Sequence, residues 1–217
     1  MTRKLKVMLL GRIDYKEALD IQKKLFSLRQ NGKIEDTLIV LEHPPVITLG
    51  RRGLYSNIVA PKDDLVKEGV SIFEVNRGGD VTYHGPGQIV GYPIIHLADC
   101  KINVRDFVGK LEEVFIRLLR EKYAIEARSE EKKYTGVWVG DEKIVAMGIE
   151  VKHWVTMHGF AFNVNTNLGH YKWINPCGIT DKGVTSLEKL LGYPLDIGEL
   201  NETVVEYFCD LFDFSLK

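Results

Sequence analysis

Gly136-Val137-Trp138-Val139-Gly140-Asp141-Glu142-Lys143-Ile144-Val145-Ala146-Met147-Gly148-Ile149 is the stretch that decides the fold class of this chain. Two runs rich in β-branched and aromatic residues flank Gly140-Asp141-Glu142, a turn signal that joins neighbouring antiparallel strands. Residues 154–164 read as one more strand. Upstream, strands are expected at 37–42, ended by His43-Pro44-Pro45, and at 46–49, closed by Gly50. Two more, at 71–75 and 88–95, flank a glycine-rich connection. Ala18, Ile21, Leu25 and Leu28 repeat at helical spacing after Asp14 and Glu17, which read as a capping box, and Gly32 stops the pattern. Val104, Phe107, Val108, Leu111, Phe115, Leu118 and Leu119 mark a long amphipathic helix, and 204–212 a closing one. Helices mixed with adjacent hairpins predict an α+β fold, with mixed or antiparallel β-sheets flanked by helices. The regular βαβ alternation of a doubly wound sheet is not there.

The chain has 217 residues, 45% hydrophobic and 27% charged, with no linker, repeat or low-complexity run, so 1–217 reads as a single domain. A net charge of −1 argues against a dedicated nucleic-acid binder. The first apolar run, Val7 to Leu10, is too short for a signal peptide, and no stretch approaches the roughly 18 apolar residues of a membrane span. A cytoplasmic protein without membrane association is expected. Cys100, Cys177 and Cys209 are odd in number and far apart, with no Cys-x-x-Cys pair, which speaks against a disulfide framework or a zinc site. His43, His96, His153 and His170 have no partner at metal-ligand spacing, so no metal is expected.

Three segments carry chemistry. Arg77-Gly78-Gly79-Asp80-Val81-Thr82-Tyr83-His84-Gly85-Pro86-Gly87-Gln88 holds four glycines and one proline among polar side chains. It reads either as a ligand loop whose backbone approaches its substrate or as a tight connection with Tyr83 and His84 packed on the sheet. It is not a phosphate loop, because Gly-x-x-x-x-Gly-Lys-Ser/Thr is absent. In Asn175-Pro176-Cys177-Gly178-Ile179, proline and glycine bracket a thiol on a constrained, open turn, whereas Cys209 lies in an apolar run and Cys100 in a charged loop. A working cysteine needs a nearby cation or a helix N-terminus to form its thiolate. Lys143 opens a strand just past a turn, followed by small residues at Ala146 and Gly148, and is by itself an ordinary exposed turn lysine. His158 and Asn163 read either as pocket lining beside Phe160 and Phe162 or, the reading preferred for His158, as satisfied polar groups at a strand end.

Taken in order, these segments resemble the lipoyl(octanoyl) transferase family within the biotin/lipoate protein ligase superfamily. The likeness is carried by residues 77–88, by Lys143-Ile144 with Gly148, and by His158-Gly159-Phe160-Ala161 with Asn163. Pro176-Cys177-Gly178-Ile179 and Val184-Thr185-Ser186-Leu187 complete it.

The resemblance implies a biotin/lipoate protein ligase-like fold and a catalytic pair, with Cys177 as nucleophile and Lys143 as cation and proton shuttle. Arg77, Gly78, Gly79, Asp80, Val81, Thr82, Tyr83 and His84 would line the acyl and carrier-arm site. Ala146, Met147, Gly148, Gly159, Phe160 and Ala161 would face the same ligand. Backbone N–H groups near Gly78-Gly79 or Cys177-Gly178 are the candidate oxyanion donors. The implied donor is the phosphopantetheine arm of acyl carrier protein, with no other cofactor. The implied acceptors are lipoyl domains of 2-oxoacid dehydrogenase complexes and the glycine cleavage H protein. Three alternatives stand beside this reading: an ATP-dependent lipoate or biotin protein ligase, a non-catalytic acyl or carrier-protein binding module, and a thioesterase. Lys101, Arg105, Lys110, Lys132 and Lys133 read either as a docking face for acidic partners or as a solvated face.

Overall fold

From Asp36 to Leu41 every residue is buried. Leu38 and Val40 point into one core, Ile39 and Leu41 into another. A strand buried on both faces belongs in the middle of a sheet with helices on either side. The computed structural model describes residues 3–130, 134–175 and 182–217 and shows that arrangement. Its strands are β1 (Arg3–Arg12), β2 (Asp36–Glu42), β3 (Val46–Leu49), β4 (Ser71–Glu74), β5 (Val81–His84) and β6 (Gln88–Ile94). Then come β7 (Arg128–Ser129), β8 (Gly136–Val139), β9 (Glu142–Lys152), β10 (Val155–Asn163), β11 (Gly183–Val184) and β12 (Phe214–Leu216). The helices are α1 (Tyr15–Gln30), α2 (Lys62–Lys67), α3 (Val104–Tyr123), α4 (Leu187–Leu191) and α5 (Ile197–Phe212).

Among the described residues the large sheet runs β12-β1-β2-β6-β10-β9-β8-β7, with β11 added beside the start of β9. It is mixed: β1 is parallel to β2 and β12, while β2, β6, β10, β9, β8 and β7 pair antiparallel in succession. Helices α3 and α5 cover one face with Phe107, Phe115 and Phe208, and Phe115 meets Phe160 and Phe162 of β10. Helix α1 covers the other face with Ala18 against Ile39, Leu41 and Ala161. A small sheet, β4-β3-β5, has its own core of Ile47, Leu49, Val81, Tyr83 and Trp173. The expected α+β class, hairpin and long helix are present.

Four local expectations differ. Strand β1 carries no clear strand signal, because Arg3, Lys4 and Lys6 crowd its first half and break the alternation. Strand β5 lies inside the glycine-rich connection, and α5 begins at Ile197 rather than 204. Asp14 stands at the N-cap of α1, yet its side chain makes no capping hydrogen bond. The same Asp-x-x-Glu spelling does cap α5, where Asp196 Oδ1 accepts from Glu199 N at 3.0 Å.

Where α1 meets the sheets lies a seam of buried polar groups. His43 Nδ1 faces the Ile13 carbonyl at 2.9 Å, so it carries the hydrogen. Nε2 therefore accepts from Tyr92 Oη at 2.7 Å. His84 Nδ1 lies 2.8 Å from Gln88 Oε1. His158 is 2% exposed, and neither ring nitrogen has a hydrogen-bond partner among the described residues. This contradicts the strand-end reading: His158 stands in mid-strand at φ +60°, its N–H given to Gln22 Oε1 at 3.1 Å. Such a conformation is sparsely populated away from glycine and is held here by the packing around it.

Burial holds the three imidazoles neutral, lowering His43 to about 4 and His84 and His158 to about 3. An unfolded chain protonates each near 6.5, so it binds more protons than the native state between that pH and these values. Stability is therefore complete above about pH 6.5 and declines as the pH falls below it, by up to about 1.4 kcal/mol per pH unit for each histidine. Calorimetry should show Tm falling steadily from pH 7 to 5, and a flat Tm over that range would contradict neutral burial.

Candidate active site

The glycine-rich segment docks on the open edge of β9. Beyond Ala146, β8 no longer pairs with β9, and Gly78 N–H donates to the Ile149 carbonyl at 2.9 Å. A Cβ on Gly148 would lie 2.7 Å from the Gly78 carbonyl oxygen, so only glycine allows this approach. Arg77 is 7% exposed and spans the junction. Its Nε and Nη2 reach Thr48 Oγ1 at 3.1 and 2.9 Å, Nη2 reaches the Thr48 carbonyl at 2.7 Å, and Nη1 reaches the Gly78 carbonyl at 3.0 Å. The backbone of 50–52 is laced to the same segment through the carbonyls of Asp80, Arg77 and Gly79.

A cleft of about 1170 Å³ opens between this loop, α3 and β9. Its walls include Arg77 to Thr82, Ala146 to Ile149, Val108 and Glu112 of α3, and Lys143. A smaller void shares the wall of Arg77, Thr82, Ala146, Met147 and Gly148 and reaches Tyr15, His84, Tyr92, His158 and Gly159 to Ala161. Two of the expected ligand segments are direct cross-strand neighbours: Ala146 faces Ala161, and Gly148 faces Gly159. All four border the smaller void, and at the two glycines neighbouring backbone lies directly against them, since a Cβ on Gly148 would strike the Gly78 carbonyl and one on Gly159 the Gly91 carbonyl. Tyr83 departs from expectation. It points into the core of the small sheet, donates or accepts at His170 Nδ1 at 2.7 Å, and lines neither the cleft nor the void. Gly78 N–H is taken by Ile149, so it is not an oxyanion donor.

Lys143 is set by a register shift. Val137 pairs with Val145 but Trp138 pairs with Lys143, which leaves Ile144 as an extra residue in β9. Ile144 and Val145 consequently both enter the main core. The start of β9 is flanked by β8 on one side and by β11 on the other, where Val184 pairs with Lys143 and Thr185 N–H donates to the Lys143 carbonyl. Lys143 Nζ lies 3.1 Å from the Thr135 carbonyl oxygen and 4.7 Å above the Trp138 ring.

Cys177, with Pro176, Gly178 and Ile179, lies outside the described residues. Asn175 and Lys182, which bracket that stretch, both line the cleft. Of the other two thiols, Cys209 is buried and pushed up to about 11, and burial raises Cys100 as well. Neither forms a thiolate readily.

A polar network ties the sequence segments together. Gln88 Nε2 donates to Asn163 Oδ1 at 2.9 Å and to Tyr171 Oη at 3.2 Å, leaving Oε1 to accept from His84 Nδ1–H. Asn163 Nδ2 in turn donates to the Thr185 carbonyl at 3.0 Å. Sequence reasoning missed Tyr171, Trp138 and Glu112. The signal for Glu112 was a carboxylate four residues after Val108 and three before Phe115, on the apolar stripe of α3. Of the basic residues read either as a docking face or as a solvated one, Lys110 is engaged with the Leu211 carbonyl at 2.6 Å, Arg105 lines the cleft, and Lys132 and Lys133 lie outside the described residues.

No helix among the described residues is long and apolar enough to cross a membrane. The chain is similar to the octanoyltransferase of Caldicellulosiruptor saccharolyticus, with 58% identity over 99% of this chain and 91% of that protein. It is 57% identical to the octanoyltransferase of Desulforamulus reducens, over 98% of this chain and 92% of that one. In fold it is similar to a crystal structure of lipoate-protein ligase A bound with ATP, with a TM-score of 0.83 and 16% identity over 99% and 87% of the two chains. The lipoyl protein ligase A/B catalytic domain matches residues 14–209. The protein whose glycine loop, β9 wall and Lys143 form this cleft therefore belongs to the lipoyl protein ligase A/B catalytic domain family.

Proposed function

We propose that this chain is an octanoyltransferase that moves an octanoyl group from the phosphopantetheine arm of acyl carrier protein to a lysine of a lipoyl domain, through a thioester on Cys177. Octanoyl transfer and acyltransferase activity follow from relatives that cover nearly the whole chain at 58 and 57% identity. The observation that carries the Cys177–Lys143 assignment is that Lys143 shares one cleft with Asn175 and Lys182. Asn175 precedes Cys177 by two residues, a reach of at most about 7 Å. The acceptors are lipoyl domains of 2-oxoacid dehydrogenase complexes and of the glycine cleavage H protein, and the setting is the cytoplasm.

The Cys177 thiol gives its proton to the Lys143 amine, and the ammonium beside it stabilises the thiolate. The thiolate attacks the donor thioester carbonyl. The carrier's thiolate leaves and takes a proton from Lys143, which gives an acyl-enzyme and a neutral amine. The acceptor lysine amine then attacks the acyl carbonyl, Cys177 departs as thiolate, and Lys143 takes the amine's proton, restoring the starting pair. Thioester exchange is nearly balanced and thioester-to-amide transfer is downhill, so no nucleotide is required. The likeness to the ATP-bound ligase, at 16% identity, is a likeness of fold. Acid-dependent pyrophosphate exchange with ATP would favour ligase chemistry instead, binding without transfer a non-catalytic module, and free octanoate as sole product a thioesterase.

Intact-mass spectrometry after incubation with octanoyl carrier protein should show one octanoyl adduct on the parent chain and none on Cys177→Ala. An adduct surviving on Cys100 or Cys209 would overturn the assignment. Lys143→Ala should slow adduct formation by about 100-fold or more, the scale of a positioned acid–base group. The wall of the void makes a separate prediction. Ala146→Val adds bulk opposite Ala161, and overpacking of about 1–3 kcal/mol should lower kcat/KM about tenfold for octanoyl donors and less than threefold for butanoyl donors. Equal losses for both lengths would show that this wall does not face the acyl chain.

A further inference from the structure

Glu112 is an expensive residue in its place. It projects from the apolar stripe of α3 into the cleft, 9% exposed, and burial raises its pKa against the opposing effects of the Gly136 amide and the Lys143 charge. A buried carboxylate persists at a cost unless it is paired and hydrogen-bonded. Its Oε1 accepts from Gly136 N–H at 2.9 Å. That N–H belongs to the peptide group whose carbonyl is Thr135 O, and Lys143 Nζ donates to this carbonyl at 3.1 Å. One planar peptide thus stands between an anion on its N–H side and a cation on its C=O side. Charge at one end polarises such a group and strengthens the hydrogen bond at the other.

The local backbone is specific to this arrangement. Gly136 has φ +133°, a conformation nearly confined to glycine. A Cβ there would collide with the Val145 carbonyl oxygen and sit 3.5 Å from Cδ and Cε of Lys143. Glycine therefore lets this peptide lie along the lysine stem. A second lysine shares the same aromatic surface: Lys182 Nζ is 4.8 Å from the Trp138 ring centroid. Its charge is already matched by Glu130 Oε1 at 2.7 Å. The two cations on Trp138 thus answer to different carboxylates, one directly and one through a peptide.

We propose that Glu112 is a positioning residue for Lys143, acting through the peptide group between Thr135 and Gly136 to hold the ammonium at the cleft wall. The inference rests on the role given to Lys143 above. Through this link Glu112 fixes where the ammonium stands and favours its charged form, without touching the acyl group.

Steady-state kinetics of the full chain with octanoyl carrier protein and a lipoyl domain test it, alongside Tm. Glu112→Gln keeps an oxygen for Gly136 N–H but removes the charge. It should lower kcat several-fold, with KM within about twofold and Tm near the parent value. Glu112→Ala removes both and should lower kcat by about tenfold to 100-fold, the scale of a lost charge-assisted hydrogen bond. Partial rescue by glutamine, with KM held, is the expected signature. If both variants keep kcat within twofold of the parent, or if KM rises in step with the fall in kcat, the proposal fails. Lys143→Ala separates the two readings. An inactive Lys143→Ala beside fully active Glu112 variants sinks only the positioning role, whereas an active Lys143→Ala sinks the lysine assignment and this inference with it.

Discussion

The cleft exists because two backbones touch where a side chain would keep them apart. Gly148 turns a bare Cα toward the Gly78 carbonyl, and Gly78 N–H completes the contact on Ile149. This one approach joins the small sheet to the large one on the open edge of β9. Arg77 makes the junction rigid by giving four hydrogen bonds to Thr48 and Gly78 in near-complete burial. A guanidinium fixed in that way is a preorganised charge in a wall shared by cleft and void, since both are lined by Arg77, Thr82 and the 146–148 stretch.

From that junction the remaining features follow in order. Ala146, Gly148, Gly159 and Ala161 pair across β9 and β10 and together border the void beside the loop. Gln88, placed at the first residue of β6, reaches His84, Asn163 and Tyr171 together, so it registers the loop against β10 and the segment before Cys177. The extra residue at Ile144 sends two successive side chains into the core and leaves Lys143 at the cleft wall, against Trp138 and the Thr135 carbonyl. His84 and His158, which line the void, are held neutral by burial, so it presents uncharged imidazoles.

Legibility in the sequence followed from how local each signal was. The helix at 15–30 and the long helix at 104–123 were visible because an apolar stripe at helical spacing needs no knowledge of its partner. Strand β1 was hidden by Lys4, Lys6 and Arg12, whose charges stay at the surface, and by Arg3, which pairs with the buried Asp36, while Leu5 is fully buried. The Asp-x-x-Glu pattern at 14–17 and at 196–199 is the same in spelling, yet only Asp196 caps, because capping depends on the backbone angle at which the chain enters the helix. Tyr83 and Phe160 both looked like pocket aromatics. Alternation along β5 turned Tyr83 into the small core, and Phe160 borders the void while its ring packs on Phe115 in the main core.

The sequence by itself determined the α+β class and the β8–β9 hairpin, which depend on residue types at short spacings, and a family resemblance that in turn singled out Cys177 and Lys143. It showed that Gly148 and Gly159 were glycine without showing why. Only the tertiary structure decided that these glycines pair across β9 and β10, with Gly148 against the Gly78 carbonyl and Gly159 against the Gly91 carbonyl, that His158 is a strained mid-strand residue rather than a strand-end one, and that Glu112 meets the peptide held by Lys143. Each of these contacts joins residues from separate elements. Distance between elements is set by packing and register across the sheet, and no local pattern of side chains carries that information.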